Sequence, residues 1–140
     1  MKRLLIDTNI IIDVLEKREP FHVAATSLFS LADKKKVRLF AAGISFVNAH
    51  YILIQKSSER EVRTGLAKLR LVTGILPCDE KVIDLALTSS FKDFEDAMQY
   101  YIAQEGNCDV IITRNQKDFK GADIPVMTAA EFLKSFKRVN

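Results

Sequence analysis

Two stretches of this chain, far apart in sequence, share one design that few folds can accommodate. Leu4-Leu5-Ile6 runs straight into Asp7-Thr8-Asn9, and Val110-Ile111-Ile112 runs into Thr113-Arg114-Asn115. An aliphatic triplet with no polar alternation reads as a strand buried on both faces, as in a parallel sheet. Each triplet then meets residues that favour turns and helix starts. In open α/β sheets ligands bind in the crevice beyond the carboxyl ends of the strands. That rule puts Asp7, Thr113 and Asn115 where chemistry is expected.

Three more short apolar stretches, Leu39-Phe40-Ala41-Ala42, Ile75-Leu76-Pro77-Cys78 and Pro125-Val126-Met127, are further strand candidates. Between them the spacing predicts helices. One runs from Ile10 to Lys17 with Asn9 as its cap, one from Pro20 to about Lys34, and one from Ser45, as a cap, to about Lys56. Ser58-Glu59-Arg60-Glu61 is a capping box that opens a helix to about Thr73, with Gly74 as its stop. Asp79 caps the next helix. A helix from Asp93 to about Glu105 ends at the left-handed pair Gly106-Asn107, and Thr128-Ala129-Ala130-Glu131 is a second capping box. Strands alternating with helices predict an α/β fold, a three-layer α/β/α sandwich with a mostly parallel, roughly five-stranded sheet. No repeat or linker interrupts residues 1–140, so one domain is expected.

Composition sets the remaining bounds. With 48% apolar and 28% charged residues the chain matches ordinary soluble domains. No stretch reads as a membrane span, and a cytoplasmic protein with no membrane partner is expected. Cys78 and Cys108 lack metal-type spacing and read as two buried reduced thiols. Basic side chains cluster at Lys34-Lys35-Lys36 with Arg38, at Arg60, Arg63, Lys68 and Arg70, and at Lys134, Lys137 and Arg138. Taken one at a time, these groups are ordinary solvated faces; together they are available to phosphates.

The acidic residues are more specific. Asp7 either caps the following helix or serves as a metal ligand at the strand end, with Thr8 and Asn9 holding its carboxylate. Asp13 reads as a polar position on that helix. In Lys92-Asp93-Phe94-Glu95-Asp96-Ala97, helical spacing puts Phe94, Ala97, Met98, Tyr101 and Ile102 on a core face and Asp93, Asp96, Gln99 and Tyr100 on the opposite side. Glu95 lies between the faces. Asp96 is the residue best placed to share a cleft with Asp7. Asp118 follows the Val110 strand, and Asn115 offers only a neutral carbonyl oxygen. Carboxylates that converge repel one another and raise one another's pKa, which normally implies a bound cation. His22 and His50 have no nucleophile partner, and the five glycines form no phosphate loop.

Taken in order, Ile6-Asp7-Thr8-Asn9, Asp96-Ala97, Ile112-Thr113-Arg114-Asn115, Asp118-Phe119 and the closing Pro125 to Leu133 segment resemble the PIN-domain family, the fold of the toxin nucleases of bacterial VapBC toxin–antitoxin pairs. The ordered set is far more specific than the opening motif alone, and it spans nearly the whole chain. The resemblance implies a metal-dependent endoribonuclease that binds Mg2+ or Mn2+ and cleaves RNA. On the matching positions, Asp7, Asp96 and Asp118 would be catalytic and would hold the metal with Asn115. Thr8, Asn9, Asn48, Asp93, Glu95 and Thr113 would support them. An antitoxin that occludes the cleft and a homodimer are the implied protein partners.

Two positions depart from the usual family pattern. Asn48 stands where a Glu is usual, and Asn115 stands where an acid is frequent; Asp118, with Glu95 or Asp93, would make up the charge. The departures keep a rival open, a catalytically weakened PIN-fold module that binds RNA or a protein. A receiver-like or phosphatase-like use of Asp7 as nucleophile lacks the second Asp two residues on, where Asn9 stands.

Overall fold

The computed structural model describes residues 1–139. Five strands, β1 (Arg3–Ile6), β2 (Arg38–Ala42), β3 (Thr73–Leu76), β4 (Val110–Ile112) and β5 (Val126–Met127), form one sheet in the order β3-β2-β1-β4-β5. Every pairing is parallel. β1 is central, and strand order reverses between it and β4. Such a reversal opens a crevice at the carboxyl ends, with Asp7 on its edge.

The pleat of β1 divides the core. Leu4 and Ile6 face a layer built by α1 (Thr8–Leu15), α2 (His22–Asp33), α3 (Gly43–Leu53), α4 (Glu59–Arg70) and α7 (Ala129–Val139). Leu5 faces a second layer made by α5 (Glu80–Leu87) and α6 (Phe94–Glu105). The expected three-layer sandwich is the observed one. No helix among the described residues is long and apolar enough to cross a membrane.

Several local expectations give way to tertiary packing. Helix α1 starts at Thr8, so Asp7 rather than Asn9 is its N-cap. α3 starts at Gly43 without a side-chain cap, and Ser45 lies inside it, fully buried, accepting a 2.9 Å hydrogen bond from Gln99 Nε2. Gly74 does not end α4. It sits within β3 beside Phe40 of β2, where a Cβ would come 2.8 Å from the Phe40 ring. Pro77 and Cys78 lie outside that strand, and Cys78 is exposed, whereas Cys108 is buried as expected.

The face assignment of α6 is corrected as well. Ala97 and Ile102 are buried, but so are Gln99 and Tyr100, while Phe94 is 47% exposed. The helix is covered from two sides, by the sheet and by α5, so one apolar stripe does not describe it. Tyr100 belongs to the core and packs against Phe91 and Tyr101. Asp13, read as a polar helix position, has no exposed surface at all; its Oδ2 lies 3.1 Å from Arg114 Nε.

Candidate functional site

Asp7 directly follows β1, so the rigidity of the central strand is passed to its carboxylate. The Asp7 backbone N–H donates to Ile112 O at 3.0 Å, which fixes the residue against β4. Its Oδ1 accepts from the Thr8 backbone N–H at 2.7 Å, and its Oδ2 accepts from Thr113 Oγ1 at 2.9 Å. Thr113 Oγ1 in turn accepts from the Asn115 N–H at 3.0 Å. Asp7 is thus held by the Thr8 backbone and the Thr113 hydroxyl. Among the described residues neither the Thr8 hydroxyl nor the Asn9 amide bonds to it, and Thr8 Oγ1 is buried without a partner.

The turn after β4 is pinned from behind. Between Thr113 and Asn115, the Arg114 guanidinium turns away to Asp13 and rests 4.1 Å from the centroid of the Phe21 ring. A buried carboxylate is tolerated only with such a partner. Burial raises the Asp13 pKa, and the charges of Arg114 and Arg18 oppose the rise. Sequence reading did not find this pair, because its members come from opposite ends of the chain.

A cleft of about 490 Å³ opens at this edge of the sheet, lined by Asp7, Thr8, Asn9, Asn48, Tyr51, Ile52, Asp93, Glu95, Asp96 and Asn115. Eight of these are sequence candidates; Tyr51 and Ile52, from α3, are additions. Asp93 is the N-cap of α6, its Oδ1 accepting from the Asp96 N–H at 3.0 Å. The cap orients the first turn of α6 and carries Glu95 and Asp96 to the cleft. Asn48 Nδ2 donates to Glu95 Oε1 at 3.3 Å, joining α3 to α6 across it. Thr113 lies behind Asp7. Asp118, exposed on a 3-10 turn at Gln116–Phe119, lies outside the lining but near enough for its charge to raise the pKa of Asp7 and of Asp96.

Electrostatics follow from this crowding. Burial is the largest cause raising the Asp7 carboxyl, opposed by the Thr113 and Thr8 hydrogen bonds. Burial also raises Glu95, followed by repulsion from Asp7 and Asp93. Asp96 is pushed up to about 7, first by burial, then by Asp93, Asp118, Asp7 and Glu95. Among the described residues no Lys or Arg lines the cleft.

The mutual repulsion of these hard oxygen donors is opposed at Asp7 by the charge of Arg114 but, among the described residues, by no basic side chain of the cleft lining. Such donors suit Mg2+ or Mn2+, each of which is held by few carboxylates and retains water. Among the described residues no three carboxylate, His or Cys side chains already converge on one point. The donors therefore fit a partly hydrated ion rather than a closed protein shell.

The geometry has counterparts. A family model described as a PIN domain matches residues 3–117. Ribonuclease VapC1 of Aquifex aeolicus is 24% identical over 136 residues, covering 94% of this chain and 93% of the relative. A toxin–antitoxin complex from Klebsiella pneumoniae contains a chain with a TM-score of 0.68 and 23% identity, covering 90% of this chain and 97% of its own. Mycobacterium tuberculosis VapC20, described as a sarcin-ricin loop cleaving toxin, has a TM-score of 0.60 at 13% identity, covering 77% and 86%.

Proposed function

Because the chain belongs to the PIN-domain family, we propose that its acidic cleft is the active site of a metal-dependent endoribonuclease, the toxin of a toxin–antitoxin pair. The observation that carries this reading is the charge balance of the cleft. Carboxylates from three separate segments, the end of β1, the start of α6 and the turn after β4, act on one another, and among the described residues no Lys or Arg lines the cleft. Asp7, Asp96 and Asp118, with the Asn115 carbonyl oxygen, would hold Mg2+ or Mn2+. Bound there, the ion supplies positive charge to an RNA phosphodiester and acidifies water at the cleft.

The protein's own part is positioning. Asp7 is fixed by two hydrogen bonds before any ligand arrives, so its oxygens need little reordering. Asp96 enters from α6, and Glu95, tied to Asn48, places negative charge beside the position where Asn48 itself is neutral. Water adds across one P–O ester bond: hydroxide joins phosphorus and the departing ribose oxygen takes the proton. The relatives named as a ribonuclease and as part of a toxin–antitoxin complex support a toxin with an antitoxin partner; a cytoplasmic location, an antitoxin seated over the cleft and a homodimer are proposed with it.

Induced expression in bacteria tests the toxin reading. Growth arrest by the native chain, relieved by Asp7→Asn, is expected; equal toxicity of the two forms would contradict it. Asn48 and Asn115 favour one other reading, a PIN-fold module that binds RNA or a protein without cutting. Titration of Mn2+ followed by electron paramagnetic resonance separates the two. Uptake by the native protein and loss of uptake in Asp7→Asn support the enzyme, and no uptake by either supports the module.

A further inference from the structure

The cleft leaves a gap in any account of RNA binding, since a polyanion meets an acidic pocket lined, among the described residues, by no Lys or Arg. The missing cations lie at the other edge of the sheet. β1 begins at Arg3 and pairs in register with Arg38 at the start of β2, whose N–H donates to Lys2 O at 2.9 Å. Lys34, Lys35 and Lys36 form the exposed turn that delivers the chain to β2. Arg38 and Arg70 line a shared groove of about 230 Å³ between the starts of β2 and β3. Asp7 lies four positions beyond Arg3 along the extended chain, roughly 13 Å at 3.3 Å per residue. All strands are parallel, so this basic edge and the acidic edge are opposite ends of one sheet.

Two features make the edge more than a solvated charge run. Among the described residues none of these six side chains makes an ion pair. Asp33 precedes the lysine turn in sequence, and Asp109 accepts from the Arg3 backbone N–H at 2.8 Å. Second, the arginines are pre-set. The guanidinium of Arg3 lies 4.3 Å from the centroid of the Phe40 ring and that of Arg38 lies 5.1 Å from it. Arg3 Nη2 is further tied to Gly106 O at 2.8 Å, and Arg70 Nη1 to Thr73 O at 3.0 Å. Arg3 spends both Nε and Nη2 on Gly106 O, at 3.3 and 2.8 Å, and so stands as a fixed charge, whereas Arg38 rests on the ring with its N–H fork free to match two phosphate oxygens. Gly74 permits this platform, because a Cβ there would press into Phe40.

We propose that the amino-terminal edge of the sheet is a second nucleic-acid surface, which grips the phosphate backbone of a helical RNA segment while the opposite edge holds the strand to be cut. The assignment of the cleft rests on the ribonuclease reading; the surface itself does not. Contacts of this kind give affinity without sequence choice and depend steeply on salt.

The test uses Asp7→Asn protein, which keeps binding separate from cleavage, and a labelled RNA hairpin and a short single strand followed by fluorescence anisotropy. Lys34→Gln, Lys36→Gln and Arg38→Gln are combined, leaving Arg70 and its bond to Thr73 in place. The variant is expected to melt with its parent and to bind the hairpin about tenfold more weakly in low salt. Its slope of log K against log salt should fall by about 2 to 3, as for three lost phosphate contacts. Binding of the short strand should be unchanged. An unchanged slope for the hairpin, or equal weakening for hairpin and short strand, would overturn the proposal. Failure of the ribonuclease reading would be seen separately, as RNA cleavage by the native protein that is absent or unaffected by chelator.

Discussion

At the scale of single residues, Thr113 and Arg114 do opposite work in adjacent positions. Thr113 aims its hydroxyl at Asp7, while Arg114 anchors the turn from behind through Asp13 and Phe21. Thr113→Val keeps the shape and removes the donor. Cation affinity is expected to fall 10- to 100-fold, the range for residues that orient a metal ligand; calorimetric titration with Mn2+ checks it, and native affinity would contradict it. Arg114→Met takes from buried Asp13 its ion-pair partner and leaves the charge of Arg18 to oppose the effect of its burial. Loss of one partner from a buried pair costs about 3 kcal/mol or more, to be read from urea unfolding, and a change below about 1 kcal/mol would mean that the pair contributes little. The signal for Asp7 was visible in the sequence because it abuts a buried triplet. The signal for Asp13 was not, since a carboxylate inside a helix looks the same whether it faces water or a distant arginine.

At the scale of elements, local chemistry specified starts better than interiors. The Ser58 cap, the Asp79 cap and the Thr128 cap all operate, with side chains accepting from the expected backbone N–H groups. The Ser45 cap and the Gly74 stop fail for a shared reason. Each residue serves a contact across the fold, Ser45 with Gln99 and Gly74 with Phe40, which the local pattern does not encode. Gly74→Ala should therefore destabilise by about 1–3 kcal/mol, as overpacking does, and a neutral result in thermal melts would contradict the close approach. Asp93 is both a cap and a charge at the cleft, and two substitutions separate these roles. Asp93→Ala is expected to cost about 1 kcal/mol, whereas Asp93→Ser keeps the cap and most of the stability. Equal losses in the two variants would show that the cap contributes nothing.

At the scale of the whole molecule, parallel strands around β1 gather the carboxylates at one end and cations at the other. The segments that supply the acids were legible in the sequence; their meeting depends on strand order, which no single segment states. Gathering them has a cost that depends on pH. The Asp96 pKa is raised from 3.8 to about 7 in the folded state, so the native form binds the proton more tightly than the unfolded chain. Its contribution is therefore most favourable below about pH 4, declines as pH rises toward 7, and is level above that. In chelator, the melting temperature of the native protein relative to Asp96→Asn is expected to fall across this window. Mn2+ should restore it above pH 7 and do little in acid, where the ligands are protonated. A difference between the two proteins that does not vary with pH would contradict the crowding. The central claim, that these carboxylates perform metal-dependent RNA hydrolysis, is tested most directly by cleavage of a mixed pool of structured RNAs. Native protein and Asp7→Asn are compared side by side in Mn2+, Mg2+ and chelator. Cleavage by the native protein in either metal, lost in chelator and in Asp7→Asn, is the predicted result; cleavage that survives either change, or none under any condition, would contradict it.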